Sequence, residues 1–382
     1  ADIAALALDA APGTASGTRA YRDIQARPGT IWCSDAKLFK FIGTDALSGV
    51  LIPGAARDLT LGGFTLGNAY VSLGGPVTNV HITGDLEVTG PDTRFWFGAG
   101  DFCYNQTEEV RFTAADSVPY TLAIDGDFTV SGGAAADFHP APTNGTDGAQ
   151  GGFVSVGGDW TVEGSGAVTS LVRIAAHPIT GSTLHFAAGN VRIETAGWLS
   201  SDGLGYARRL GQWGSGRGPS PLYAYAPNGY YIYSVGAGHG GLAVRGGTVI
   251  DKIARGTVYD WAERPAQSGT SGASMWGWGY DGGGYVHVKA DGRFTLAGRI
   301  SADAIHHTID RGVAGSGGGI LLEGRAFAAT DTASLTAVGG NHAANNGPAG
   351  GGGRIAVWAG SRPWHDGART NHIVSLAPAE CF

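Results

Sequence analysis

The 382-residue sequence predicts an all-β chain wound as a right-handed parallel β-helix with long glycine-rich loops. Three observations carry that expectation. Glycine fills 67 positions, more than twice the usual share of about 7%. Between the glycines, Val, Ile, Thr and aromatic residues form short runs, the grammar of strands and turns. A short motif also recurs along the chain.

The motif is Gly–polar–bulky–x–Val/Ile. It stands at Gly84 (GDLEV), Gly126 (GDFTV), Gly158 (GDWTV) and Gly189 (GNVRI), at intervals of 42, 32 and 31 residues. Related strands are GGFTLG from Gly62 and DGRFTLAG from Asp291. Strand alternation places Leu86/Val88, Phe128/Val130 and Trp160/Val162 on one face. A unit this small cannot bury that face alone, whereas units stacked in register make one continuous core. Sustained helical periodicity is almost absent. The spacing also lacks the blade-like period of about 40–50 residues that a propeller would show.

Composition removes several function classes. The glycines have no three-residue period and 43% of residues are apolar, which fits neither collagen nor disorder. The net charge is −7 and no basic run exceeds Arg208-Arg209, so nucleic-acid binding is not expected. No run of about 18 apolar residues predicts a membrane span. The start Ala1-Asp2-Ile3 lacks a charged segment leading into an apolar one, which suits a processed protein. Cys33, Cys103 and Cys381 lie far apart and match no metal-ligand spacing; their pairing is open.

One domain spanning 1–382 is expected. Residues 1–60 would supply an N-terminal cap and first coils, with Trp32, Phe39 and Phe41 plugging the exposed end. Residues 61–196 would form regular coils, 197–360 coils with long glycine-rich loops, and 361–382 a C-terminal cap.

The second zone carries GSGRG (214–218), GAGHGG (236–241), GGGYVHV (282–288), GRISAD (298–303), GSGGGILLEG (315–324), LTAVGGN (335–341) and GGGGRIAV (350–357). These stretches resemble the glycine-rich repeats of large secreted or surface-attached bacterial proteins with β-helix passengers. The resemblance covers less than half of the chain. It implies a scaffold and an extracellular or cell-surface location, and says little about chemistry, because a fold hosts many functions. The chain departs from that pattern at RRLGQW (208–213), MWGWGY (275–280), AIHHTIDR (304–311) and NHAANNG (341–347). Cations, carboxylates and aromatics stand there in place of small residues, so candidate chemistry concentrates in these stretches.

His239, between glycines, reads either as a proton-transfer group exposed in a groove or as a ring bonding a turn. Tyr206 beside Arg208 and Arg209 suits a proton shuttle next to a bidentate carboxylate clamp, or solvated arginines on a loop. His342, with Asn341, Asn345 and Asn346, offers a base with amide donors, or ordinary turn chemistry. His306 and His307, followed by Asp310 and Arg311, suggest metal ligation, but adjacent strand residues face opposite ways, and no metal is expected. Trp213, Tyr223, Tyr225, Tyr230, Tyr231, Tyr233, Trp261, Trp276, Trp278 and Tyr280 either stack on sugar rings or pack the loops together.

These readings converge on a secreted monomer that engages an acidic or decorated polysaccharide in a groove along the coils. The expected catalytic residues are Tyr206, Arg208, His239 and His342. The expected substrate contacts are Arg209, Trp213, Tyr230, Tyr231, Trp276, Trp278, Asp303 and Arg354. β-Elimination is the preferred chemistry. Hydrolysis by a carboxylate pair among Asp260, Glu263, Asp281, Asp303 and Asp310 is second, and requires a separation of roughly 5–10 Å. The alternative is a non-catalytic surface adhesin or structural glycan-binding passenger. No cofactor is expected, and no residue pattern indicates a structural calcium ion.

Overall fold

A computed structural model describes residues 2–3, 31–33, 39–41, 58–61, 63–67, 70–74, 79–98, 119–141, 150–164, 166–208, 216–220, 234–243, 256–274, 279–306, 313–341, 349–360 and 372–373. Among the described residues every regular element is a strand. The strands form two large sheets, of fourteen and eight strands, and one two-stranded ribbon. Pairing in the large sheets is parallel, apart from the short contact of Arg354–Ala359 with His372–Ile373. The chain is therefore all-β and built from parallel sheets.

The chain visits the sheets in a fixed rhythm. Asn79–Ile82 and Leu86–Thr89 lie in the larger sheet, and Arg94–Gly98 follows in the smaller one. Tyr120–Ile124, Phe128–Ser131 and Ala135–Phe138 repeat that order one layer on. In the next layer one long strand, Gln150–Val162, occupies both places in the larger sheet before Ser170–Ile174 enters the smaller. Thr183–Ile193 with Gly197–Ser200, Tyr285–Leu296 with Arg299–Ser301, and Gly319–Ala329 with Ser334–Thr336 continue the stack. Ile31–Cys33 and Phe39–Phe41 pair with Phe64–Gly67 and Tyr70–Gly74, so the strands of Trp32, Phe39 and Phe41 extend the two sheets.

The recurring motif marks a corner. Leu86, Phe128, Trp160, Val191 and Phe294 stand in one column of the ladder, as the spacing predicts. The preceding Asp or Asn ties each corner to the next. Asp85 Oδ1 accepts the Asp127 amide at 2.8 Å, and Asp127 Oδ1 accepts that of Asp159 at 2.7 Å. Asn190 Nδ2 donates to Asp159 Oδ1, and Asn190 Oδ1 accepts the Arg293 amide. This explains the glycine of the motif. A Cβ on Gly126 or Gly158 would land on the carboxylate oxygen of Asp85 or Asp127.

Inward positions form apolar columns. Leu86, Val88, Phe128, Val130, Trp160 and Val162 are all fully buried, so the alternation predicted from the motif has the observed facing. Trp160 stacks between Phe128 and Phe186, with ring centroids 5.8 and 5.0 Å away. A neighbouring column tapers from Ile82 and Ile124 through Val156 to Ala188 and Ala290. The large rings of Trp160 and Phe186 fill space as that column narrows.

The glycine-rich segments differ from the expected loops around a groove. They pack backbone against backbone. Gly283 N donates to Ser316 O, Gly317 N to Gly351 O, Gly351 N to Ala237 O, and Gly269 N to Gly283 O. A Cβ on Gly318 would land on the carbonyl oxygen of Gly284, and one on Gly353 on that of Gly318. Extended segments bond to several neighbours at once because no side chains hold them apart. Most of residues 268–273, 282–284 and 313–319 are buried as a result.

Candidate functional site

His239 lies inside this glycine layer with no exposed surface. Its Nδ1 faces the carbonyl oxygen of Gly317 at 2.8 Å, and its Nε2 faces Asp260 Oδ2 at 3.2 Å. Tyr259 stacks on the ring at 4.4 Å, and its hydroxyl donates to Ser268 O. Asp260 also accepts the amides of Trp261, Ala266 and Gln267. Arg354 Nε donates to the carbonyl oxygen of Tyr259. Exposure of His239 in a groove is thus corrected. Its surroundings are those of a group that pins glycine segments together.

Tyr206 is 9% exposed, and its hydroxyl donates to Thr180 O at 3.1 Å. Burial raises its phenol above the ordinary value. The Arg208 amide donates to Asp281 Oδ1, and its guanidinium lies 5.9 Å from the centroid of Tyr280. Toward the His239 cluster, the Tyr206 amide donates to Gly269 O. Arg209, Trp213, Tyr230, Tyr231, Trp276, Trp278 and His342 lie outside the described residues, as do Cys103 and Cys381.

Asp303 belongs to a second carboxylate ladder, on the smaller sheet. Asp202 Oδ1 accepts the Asp303 amide, and Asp303 Oδ1 accepts the Val338 amide, each at 2.7 Å. Arg299 reaches Asp303 at 3.1 Å and Asp202 at 3.8 Å while stacking over Trp198 at 4.7 Å. Burial is the main cause of a raised Asp202 carboxyl. Asp303 is spent on backbone and side-chain donors, with Thr336 Oγ1 among them.

The outward face of the larger sheet carries a cluster that the sequence reading missed. His185 and His287 stand side by side on adjacent strands, with Nδ1 facing Nδ1 at 2.9 Å. His287 Nε2 faces Glu323 Oε2 at 3.0 Å. Arg264 approaches Glu323 Oε1 at 3.6 Å, and Lys289 lies on the strand of His287, bonded to Asp291. Phe153, 42% exposed, sits 5.8 Å from the His185 ring. The segment around Glu263–Gln267 straps over this face. Tyr285 Oη donates to Pro265 O, and Trp358 Nε1 donates to Glu263 O. Strand alternation in YVHVKA already put Tyr285, His287 and Lys289 on one face. Nothing local showed that His185 would lie beside them.

Electrostatics set the charge of this cluster. Burial, aided by His287, lowers His185 to about 3. Burial pushes the Glu323 carboxyl up, but the His287 bond, with the charges of His287, Arg264 and Lys289, outweighs it and the net shift is downward. Among the described residues, no group of three or more His, Cys, Asp or Glu side chains is arranged to hold a metal ion.

A pH dependence follows. Burial lowers His139 and His177 from 6.5 to about 4. With His185, these groups take up protons in the unfolded chain before the folded one does. Stability present above about pH 6.5 should therefore fall as the pH drops toward 4, and the low carboxyl of Glu323 acts in the same direction. Urea midpoints measured between about pH 7 and 5 should decrease steadily. A flat profile would mean these rings are solvated.

No family model, curated protein or solved structure matches the chain. Function has to be argued from the site.

Proposed function

We propose that the chain is a secreted, monomeric right-handed parallel β-helix that binds an acidic or decorated polysaccharide on the outward face of its larger sheet. Stacked parallel strands that return to the same two sheets layer after layer support the coiled reading. The right hand is the one parallel crossovers overwhelmingly adopt. The observation that carries the binding reading is the surface around His185. An exposed aromatic ring, Phe153, stands beside the His185 imidazole, and two solvent-facing cations, Arg264 and Lys289, border Glu323 at the other end of the same row, in an otherwise acidic protein. A flat ring stacks on a sugar face while cations meet its carboxylate or sulfate.

Affinity electrophoresis through gels loaded with neutral and uronate-containing polymers tests this. Retardation should appear on acidic polymers, weaken with salt, and drop several-fold in Arg264→Ala and Lys289→Ala. Equal mobility in every gel would overturn it. A non-catalytic surface adhesin is the second reading. Its support is the consumption of His239, Asp260 and Asp303 in internal bonds.

A further inference from the structure

We propose that Glu323, His287 and His185 form a proton relay ending at His185 Nε2, and that this nitrogen is the general base in β-elimination on a bound uronate polymer. The inference rests on the polysaccharide-binding reading and adds a reaction to it.

Geometry separates this row from the other polar side chains described above. Asp85, Asp127, Asp202, Asp303 and Asp260 all accept backbone amides, so each has a structural task. Among the described residues, the side chains of His185, His287 and Glu323 bond to one another and to Arg264. Three successive strands of the larger sheet contribute one member each. Glu323 is in register with Lys289, so it leans diagonally back to reach His287. A solenoid core does not need that arrangement.

With His287 neutral, the bonds set the direction of transfer. Glu323, an acceptor, takes the Nε2 hydrogen of His287. His287 Nδ1 then accepts the Nδ1 hydrogen of His185, which leaves His185 Nε2 as a bare lone pair. Among the described residues nothing bonds that nitrogen, and it is not among the buried polar atoms left without a partner. Phe153 and Tyr285 flank the His185 ring, while Arg264, Lys289 and Glu323 supply the nearby charges.

The relay also answers an energetic objection. A ring as buried as His185 is a poor resting place for a positive charge. When Nε2 takes a proton, His185 releases its Nδ1 hydrogen to His287, and the charge settles against the Glu323 carboxylate. The base strength belongs to the row as a whole.

The step balances. The C5–H bond of the uronate breaks and its proton goes to His185 Nε2. The electron pair forms the C4=C5 double bond, and the C4–O bond to the departing sugar breaks. The leaving oxygen takes a proton from solvent, and the relay later returns its own proton to solvent. Arg264 and Lys289 oppose the charge that builds on the uronate carboxylate.

The full chain is incubated with a panel of uronate polymers, and the ultraviolet absorbance of the unsaturated product is followed alongside affinity electrophoresis. Product is expected from the wild-type chain. Glu323→Gln and His185→Gln should each lower kcat by about 10²-fold or more. Arg264→Ala should act mainly on KM. Imidazole-nitrogen NMR of the wild-type protein gives a readout that needs no substrate: His185 should carry its hydrogen on Nδ1. Retardation without product, wild-type turnover in Glu323→Gln, or a His185 hydrogen on Nε2 would each overturn the relay. Absence of retardation on every acidic polymer would instead overturn the binding reading, and the relay's substrate with it.

Discussion

Replacing Trp160 with alanine should lower the unfolding free energy by about 3–5 kcal/mol, the range for deleting a buried aromatic ring. The side chain has no exposed surface, and it stacks between Phe128 and Phe186 in planes tilted by only 13° and 18°. Its removal opens a cavity shared by three successive layers, and rings fixed by strand register cannot collapse into it. Phenylalanine should cost far less. Among the described residues the Trp160 indole Nε1 is buried without an acceptor, and an orphaned donor is worth about 1–3 kcal/mol of destabilisation. Trp160→Phe removes that donor while keeping most of the stack. Urea unfolding of both variants decides the matter. A loss below about 1 kcal/mol in Trp160→Ala would mean that the column does not carry the core.

Asp260→Ala should be comparably damaging, at about 3–5 kcal/mol, because it removes a buried carboxylate on which several donors converge. The Asp260 side chain is 1% exposed and that of His239 is fully buried. Removing the carboxylate leaves His239 Nε2 and the amides of Trp261, Ala266 and Gln267 without their acceptor. Asp260 also holds a φ of 69°, a left-handed conformation that aspartate tolerates better than alanine. The strap over Tyr285 and Glu323 should loosen as well. Hydrogen exchange at Ala266 and Gln267 should accelerate together with the fall in stability. Native-like exchange at both amides would exclude Asp260 as the anchor of the strap.

The core was legible because its signal is local. Phe128 and Val130, or Trp160 and Val162, declare their common face within three residues, and the GD corner repeats often enough to align the coils. Of the two readings of His239, the ring that bonds backbone is the one the structure has, and the groove reading failed for an opposite reason. A glycine-flanked histidine looks exposed when only its neighbours in sequence are considered, yet glycine equally lets Gly317 and Gly351 approach from far along the chain. The His185–His287 pair was hidden by a separation of 102 positions. One long-range signal was present and unused. GWLSSD, ending at Asp202, and GRISAD, ending at Asp303, share glycine, an inward Leu or Ile, serine and a terminal aspartate. That match places the two aspartates on adjacent rungs, where the structure has them.

The same separation has a consequence for how such a chain can change over generations. Phe153 and His185 are one rung apart across 32 positions, whereas His185 and His287 are one rung apart across 102. Lengthening the connection about threefold adds only about 1 kcal/mol of loop-closure entropy. The stretch between Ser200 and Tyr285 is therefore a splice point, at which material can be gained or lost while the rungs on either side keep their register. The parts that dock back, among them Tyr206, Ala237, His239 and Asp260 through Ser274, are held in place by hydrogen bonds to other segments. Length variation among descendants of this chain should gather between these docked parts and be scarce within them.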